Sequence, residues 1–190
     1  MKARTLVLIL AGLVGLAVLA IVLGGFLFAG WFTLGPASGE AAAMQESAVI
    51  TKQHVNERLG YSLHFPQAYS VEARENGDSF VIGSSMNHSD PRLSITVSDA
   101  EGATANSVAD ALVGSLEGFH LERYTWVIDG REAQVVDGVP GQELSRVVFL
   151  VEEGRLYQLT FTHADESLGE TYSQMEELFL IVAGSFRLNR

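Results

Sequence analysis

The sequence predicts an α+β domain, an antiparallel β-sheet flanked by helices, preceded by one N-terminal transmembrane helix. Three observations lead there: a long uncharged run from Leu6 to Phe32, a series of period-two runs separated by tight-turn residues, and only two later segments with apolar residues at helical spacing. Once the first run is set aside, a chain of 190 residues has room for one ordinary domain.

A helix rises about 1.5 Å per residue and needs roughly 20 residues to cross a hydrocarbon layer about 30 Å thick, which the uncharged run satisfies. It also exceeds the apolar core of a cleaved signal peptide, about 7 to 15 residues, although Ala37-Ser38-Gly39 and Ala41-Ala42-Ala43 offer small residues to a signal peptidase. A retained signal-anchor over 6–34 is therefore expected. Lys2 and Arg4 precede it and no basic residue follows before Lys52, so the positive-inside rule leaves 1–5 in the cytoplasm and places 44–190 outside it. Residues 35–43 are Gly, Pro, Ala and Ser with one Glu, a flexible linker.

Within 44–190 the stretch Met44 to Leu59 fits either period and leans to strand. Tyr61, Leu63 and Phe65 alternate with Ser62 and His64 up to Pro66, a half-buried strand that turns His64 away from the core. Tyr69, Val71 and Ala73, then Phe80 and Ile82, flank Asn76-Gly77, a pair that tolerates the positive φ of a hairpin turn. Leu93, Ile95 and Val97 repeat the alternation. Helical spacing begins at Ser107, which with Asp110 resembles a capping box, and runs through Val108, Leu112 and Leu116 to a stop at Gly118. Strands resume at Tyr124, Trp126 and Ile128, turn at Asp129-Gly130 and continue through Ala133 and Val135. Val147 to Val151 is wholly apolar, as suits a strand covered on both faces, and Tyr157, Leu159 and Phe161 follow a turn at Glu153-Gly154. Tyr172, Met175, Phe179 and Val182 mark a second helix closed by Gly184, with Ser185-Phe186-Arg187 as a short return.

Four of these stretches in order resemble the PsbP-like domain family, which is named for an extrinsic subunit of photosystem II: Gly60-Tyr61-Ser62-Leu63-His64-Phe65-Pro66, Asp129-Gly130-Arg131-Glu132-Ala133, Gly154-Arg155-Leu156-Tyr157-Gln158-Leu159-Thr160-Phe161 and Gly184-Ser185-Phe186-Arg187. The resemblance spans roughly Val49 to Leu188. It implies an α/β/α sandwich and an accessory or scaffolding role in a larger assembly. It lends no catalytic residue, because the matching positions are structural.

Composition narrows the function classes. Net charge is −11, and every Asp and Glu follows the membrane run, so nucleic acid and anionic lipid surfaces are poor partners. With no Cys there is no disulfide framework and no thiolate metal site. A nucleophilic serine has no Gly-x-Ser-x-Gly context, since Gly83-Ser84-Ser85 and Gly114-Ser115 lack the second glycine. His54, His64, His88, His120 and His163 show no His-x-x-x-His spacing, and Asp129, Glu132 and Asp137 lack the spacing of a calcium loop. No phosphate loop or dinucleotide fingerprint occurs. Glu152-Glu153 and Glu176-Glu177 read as solvated surface. Tyr124 with Trp126 is the aromatic pair to inspect for recognition, with core packing as the favoured reading.

The sequence thus assigns no catalytic, cofactor-binding or metal residue and no cofactor. It points to a membrane-tethered extracytoplasmic accessory or binding domain acting through a protein partner. The alternatives are an extracytoplasmic hydrolase or metal-dependent enzyme, or a small-ligand-binding domain.

Overall fold

The computed structural model describes residues 49–82 and 92–189. The helix expected over 6–34, the linker over 35–43 and the first residues of 44–190 lie outside the described residues, as do Ser84, Ser85 and His88. Among the described residues no helix is long and apolar enough to cross a membrane.

Among the described residues ten strands and two α-helices follow in the order β1 (Thr51–Asn56), β2 (Tyr61–Pro66), β3 (Tyr69–Arg74), β4 (Gly77–Ile82), β5 (Leu93–Asp99), α1 (Ala105–Ser115), β6 (Glu122–Ile128), β7 (Arg131–Val139), β8 (Ser145–Glu152), β9 (Arg155–Thr162), α2 (Glu170–Ser185) and β10 (Arg187–Leu188). A 3-10 turn over Glu166–Leu168 leads into α2. The α+β class is as the sequence predicts. Instead of one sheet, however, there are two: a seven-stranded sheet in the order β3-β4-β5-β9-β8-β7-β6 and a three-stranded sheet β1-β2-β10. The pairings are antiparallel throughout.

Alternation along the strands sets the layers. On β8, Val148 and Leu150 enter the main core, while Val147 and Phe149 enter a second core with Val136 and Ala109. Helix α1 supplies Val108, Leu112 and Val113 to that second core. Helix α2 covers the other face with Met175, Leu178, Phe179 and Val182. This is why the run Val147 to Val151 carries no polar alternation: both of its faces are covered. The small sheet joins the α2 side, because Tyr61, Leu63 and Phe65 point into the main core while His64 is exposed. Tyr61 stacks on Phe186 with ring centroids 5.5 Å apart, and Phe65 meets Phe80 edge to face at 5.1 Å.

Three local readings need correction. The β3–β4 hairpin pairs Arg74 with Gly77, so its loop is Glu75-Asn76, and Gly77 does not take a positive φ. Gly77 is required for close approach: a Cβ there would lie 1.7 Å from the Ile95 carbonyl oxygen on β5. The start of α1 lies earlier than Ser107. Thr104 is the N-cap, its hydroxyl accepting from the Ser107 amide, and the Ser107 side chain caps the Thr104 amide in return, so Ser107 plays the part normally taken by Glu or Gln. Gly184 falls inside the last turn of α2 and Phe186 caps it. The short return after it is β10, which pairs with β2.

Candidate functional site

Two polar networks penetrate the main-core side. The first centres on Asp78 of β4, only 1% exposed. Its Oδ2 accepts from Asn56 Nδ2 at 2.8 Å, contacts His54 Nε2 at 2.7 Å and accepts a short hydrogen bond from the Tyr61 hydroxyl. Burial pushes the Asp78 carboxyl upward, but hydrogen bonds from Asn56, Tyr61 and His54 outweigh it and hold the group below the ordinary aspartate range. The Tyr61 hydroxyl is raised by its own burial and by donating to Asp78. His54 and Asp78 form the geometry of a general base and its orienting carboxylate. Yet the His54 ring packs edge-on against Phe80 at 5.7 Å, and neither His54 nor Asp78 lines any of the clefts described below. The network joins β1 and β2 to β4, tying the small sheet to the large one.

The second network centres on Arg146 of β8, which is 7% exposed. Its Nε donates to Asp137 Oδ1 at 2.6 Å and its Nη2 to Asp137 Oδ2 at 2.9 Å, and Nη2 lies 2.7 Å from Glu176 Oε1 on α2. The guanidinium sits 4.5 Å above the Phe179 ring. Burial works against its charge, but Asp137 and Glu176 more than compensate and raise its pKa. Tyr124 of β6 donates to Asp137 at 3.2 Å. Asp137 faces Arg146 from within the register shift of β7 between Val136 and Val139. Gly138 permits that bulge with φ +77, where a Cβ would meet the His120 carbonyl oxygen at 2.7 Å.

Unlike Asp78, Arg146 opens onto the surface. A cleft of about 520 Å³ is lined by Tyr124, Asp137, Arg146 and Tyr172 together with His120, Glu122, Asp165 and Glu166. Tyr172 also lines an apolar groove of about 470 Å³ along α2, shared with Val49, Leu180 and Ile181. Val49 and Glu177 continue into a third depression of about 610 Å³ with Ile50, Pro66, Tyr69 and Ile82. Shared lining residues place these three side by side as a trough along the flank of α2, acidic at the Glu122 and Asp165 end and mostly apolar beyond Tyr172, with Glu176 and Glu177 on its rim. Leu180 and Ile50 stand 55% and 69% exposed on it.

The residues singled out in the sequence are dispersed. Trp126 packs edge-on against Phe179 at 5.2 Å and belongs to the core, whereas its neighbour Tyr124 reaches the cleft. His163 contacts the Thr162 hydroxyl, and His64 lies on the exposed face of β2. Among the described residues no three His, Asp or Glu side chains converge as metal ligands. Ser115 donates to the Leu112 carbonyl at the end of α1. Asp129 is a turn residue with φ 51, its Oδ2 accepts from Arg131 and from the Leu188 amide, and its Oδ1 lies 3.8 Å from Arg187 Nε, all structural contacts. Glu132 is exposed. The reading of both glutamate pairs as solvated surface holds for Glu153 and Glu177 only: Glu152 pairs with Arg131 at 2.8 Å and Glu176 with Arg146. Each of these pairs joins segments distant in the chain, which no local pattern encodes.

No family model and no curated protein matches the chain. Among solved structures it is similar to the cyanobacterial PsbP of Synechocystis sp. PCC 6803, at 14% identity and a TM-score of 0.47 over 81% of this chain and 99% of that one. It is also similar to a Pseudomonas aeruginosa protein of unknown function, at 17% identity and a TM-score of 0.34 over 69% and 96%. Both likenesses concern the fold, and neither bears on function.

Proposed function

We propose that this chain is a membrane-tethered accessory domain that works by binding a protein outside the cytoplasm rather than by catalysis. The observation that carries this reading is the apolar groove on the α2 flank, where Val49, Leu180 and Ile181 leave aliphatic surface uncovered next to a fully packed core. Aliphatic side chains bury about 1.5–3 kcal/mol each when removed from water, so a partner covering Leu180 and Ile50 gains directly. The groove is open along its length, which suits a chain segment better than an enclosed solute. The charged groups that would serve chemistry are committed elsewhere, with Asp78 saturated by donors on Oδ2 and Arg146 clamped by Asp137 and Glu176.

Quantitative mass spectrometry of what co-purifies with the full chain from its native membranes tests the reading, with Leu180→Asp as the comparison. A protein retained by the wild type and lost from the variant supports it. Turnover by the chain that is abolished by changing one polar residue contradicts it.

A further inference from the structure

We propose that the α2 trough receives a polarised segment of its partner, with Lys or Arg side chains seated in the acidic cleft and aliphatic side chains following in the groove beside Leu180. This rests on the protein-binding reading above and adds the chemistry of the partner. Continuity and charge together support it. Tyr172 lines both the cleft and the groove, so one extended or helical segment can occupy the two at once. Glu122, Asp137, Asp165 and Glu166 line the cleft against a single cation, Arg146, whose Nε and Nη2 are already taken by Asp137 and Glu176. Asp165 stays ionised, because the Ser167 hydroxyl and amide donate to it and hold its carboxyl below the ordinary range.

Negative charge therefore remains uncompensated at one end of an apolar trough, and a cation flanked by Tyr124 and Tyr172 complements it. The alternatives fit less well. Anionic head groups would be repelled by the same carboxylates, and a second copy of a chain with net charge −11 brings few basic residues to neutralise them.

The test places a photo-crosslinking amino acid at Leu180, at Glu166 and, as a control on the β6 edge, at Val127, each in the full chain in its native membranes, and sequences the captured peptides. The expected result is one protein captured from Leu180 and Glu166, with Lys or Arg in the peptide at Glu166 and aliphatic residues in the adjoining peptide at Leu180. Glu122→Lys combined with Asp165→Lys then lowers the Leu180 crosslink by about tenfold or more, the scale of a like-charge juxtaposition. If that pair fails to fold, Glu122→Gln with Asp165→Asn gives the same comparison with a smaller drop.

A captured peptide without basic residues, a peptide from the chain itself, a lipid adduct, or a crosslink unchanged by the charge variants overturns the proposal. Capture at Val127 alone overturns it while leaving protein binding intact, and capture of no protein at any position overturns both.

Discussion

Asp78 and Arg146 are both buried charges on the same side of the large sheet, yet they are built for different ends. Asp78 is closed in: its partners His54, Asn56 and Tyr61 come from β1 and β2, no described cleft reaches it, and its second oxygen, Oδ1, has no partner among the described residues. Arg146 is held by Asp137 and Glu176, whose side chains are 21% and 29% exposed, and one side of the group faces the trough. A buried charge that no described cleft reaches, whose partners join β1 and β2 to β4, ties two sheets together. A buried charge that lines a cleft together with its carboxylate partner Asp137 sets the shape and charge of a surface. The first network ties the fold together, and the second forms the acidic end of the proposed binding face.

The comparison breaks most visibly at Asp78. Asp78→Ala leaves the Asn56 amide and the Tyr61 hydroxyl without their acceptor, and we expect a loss of about 3–5 kcal/mol, at about 1–3 kcal/mol for each group left unsatisfied, read by denaturant unfolding of the full chain. Arg146→Met removes the counter-ion of two partly hydrated carboxylates, and the expected loss is smaller, about 2–3 kcal/mol by the same assay. Gly77→Ala drives a methyl into the Ile95 carbonyl and should cost about 1–3 kcal/mol through displacement of β4 from β5, with loss of amide-exchange protection confined to that hairpin.

The Asp78 network also has a defined pH signature. A carboxyl whose folded pKa lies below its unfolded value contributes stability above the ordinary aspartate range, and that contribution disappears as pH falls through the folded value. Stability should therefore decline with acid below about pH 4, the ordinary range of aspartate. Asp78→Asn, already destabilised near neutrality, should show a shallower acid limb. Least affected in stability is Leu180→Asp, within about 0.5 kcal/mol as for an exposed position, although it removes the centre of the apolar groove.

Local periodicity made much of this fold legible. Strands β2, β5 and β9 and the inward face of α2 follow from the spacing of Leu63, Ile95, Leu159 and Phe179, and β8 from the unbroken apolar run Val147 to Val151, because such patterns are properties of short segments. Division into two sheets was not legible, since β2 pairs with β1 and β10 from opposite ends of the domain while its sequence neighbour β3 pairs with β4. Both buried charges carry a local signal in their spacing. Asp78 lies two residues before the inward Phe80, and Arg146 two before the inward Val148, so each is in phase with the core. What the sequence could not supply is the partner: His54 is 24 residues from Asp78, and Glu176 arrives on the last helix. The trough has the same origin, assembled from Val49, Tyr124 and Leu180 by tertiary packing alone.

The most direct test compares Asp78→Asn and Leu180→Asp side by side, measuring for each the thermal unfolding midpoint of the full chain and the amount of partner retained at a temperature where both variants are folded. We expect a double dissociation, with Asp78→Asn lowering the midpoint while keeping the partner and Leu180→Asp keeping the midpoint while losing the partner. Retention of the partner by Leu180→Asp, or its loss from folded Asp78→Asn, would contradict the division between a network that defines the fold and a flank that binds.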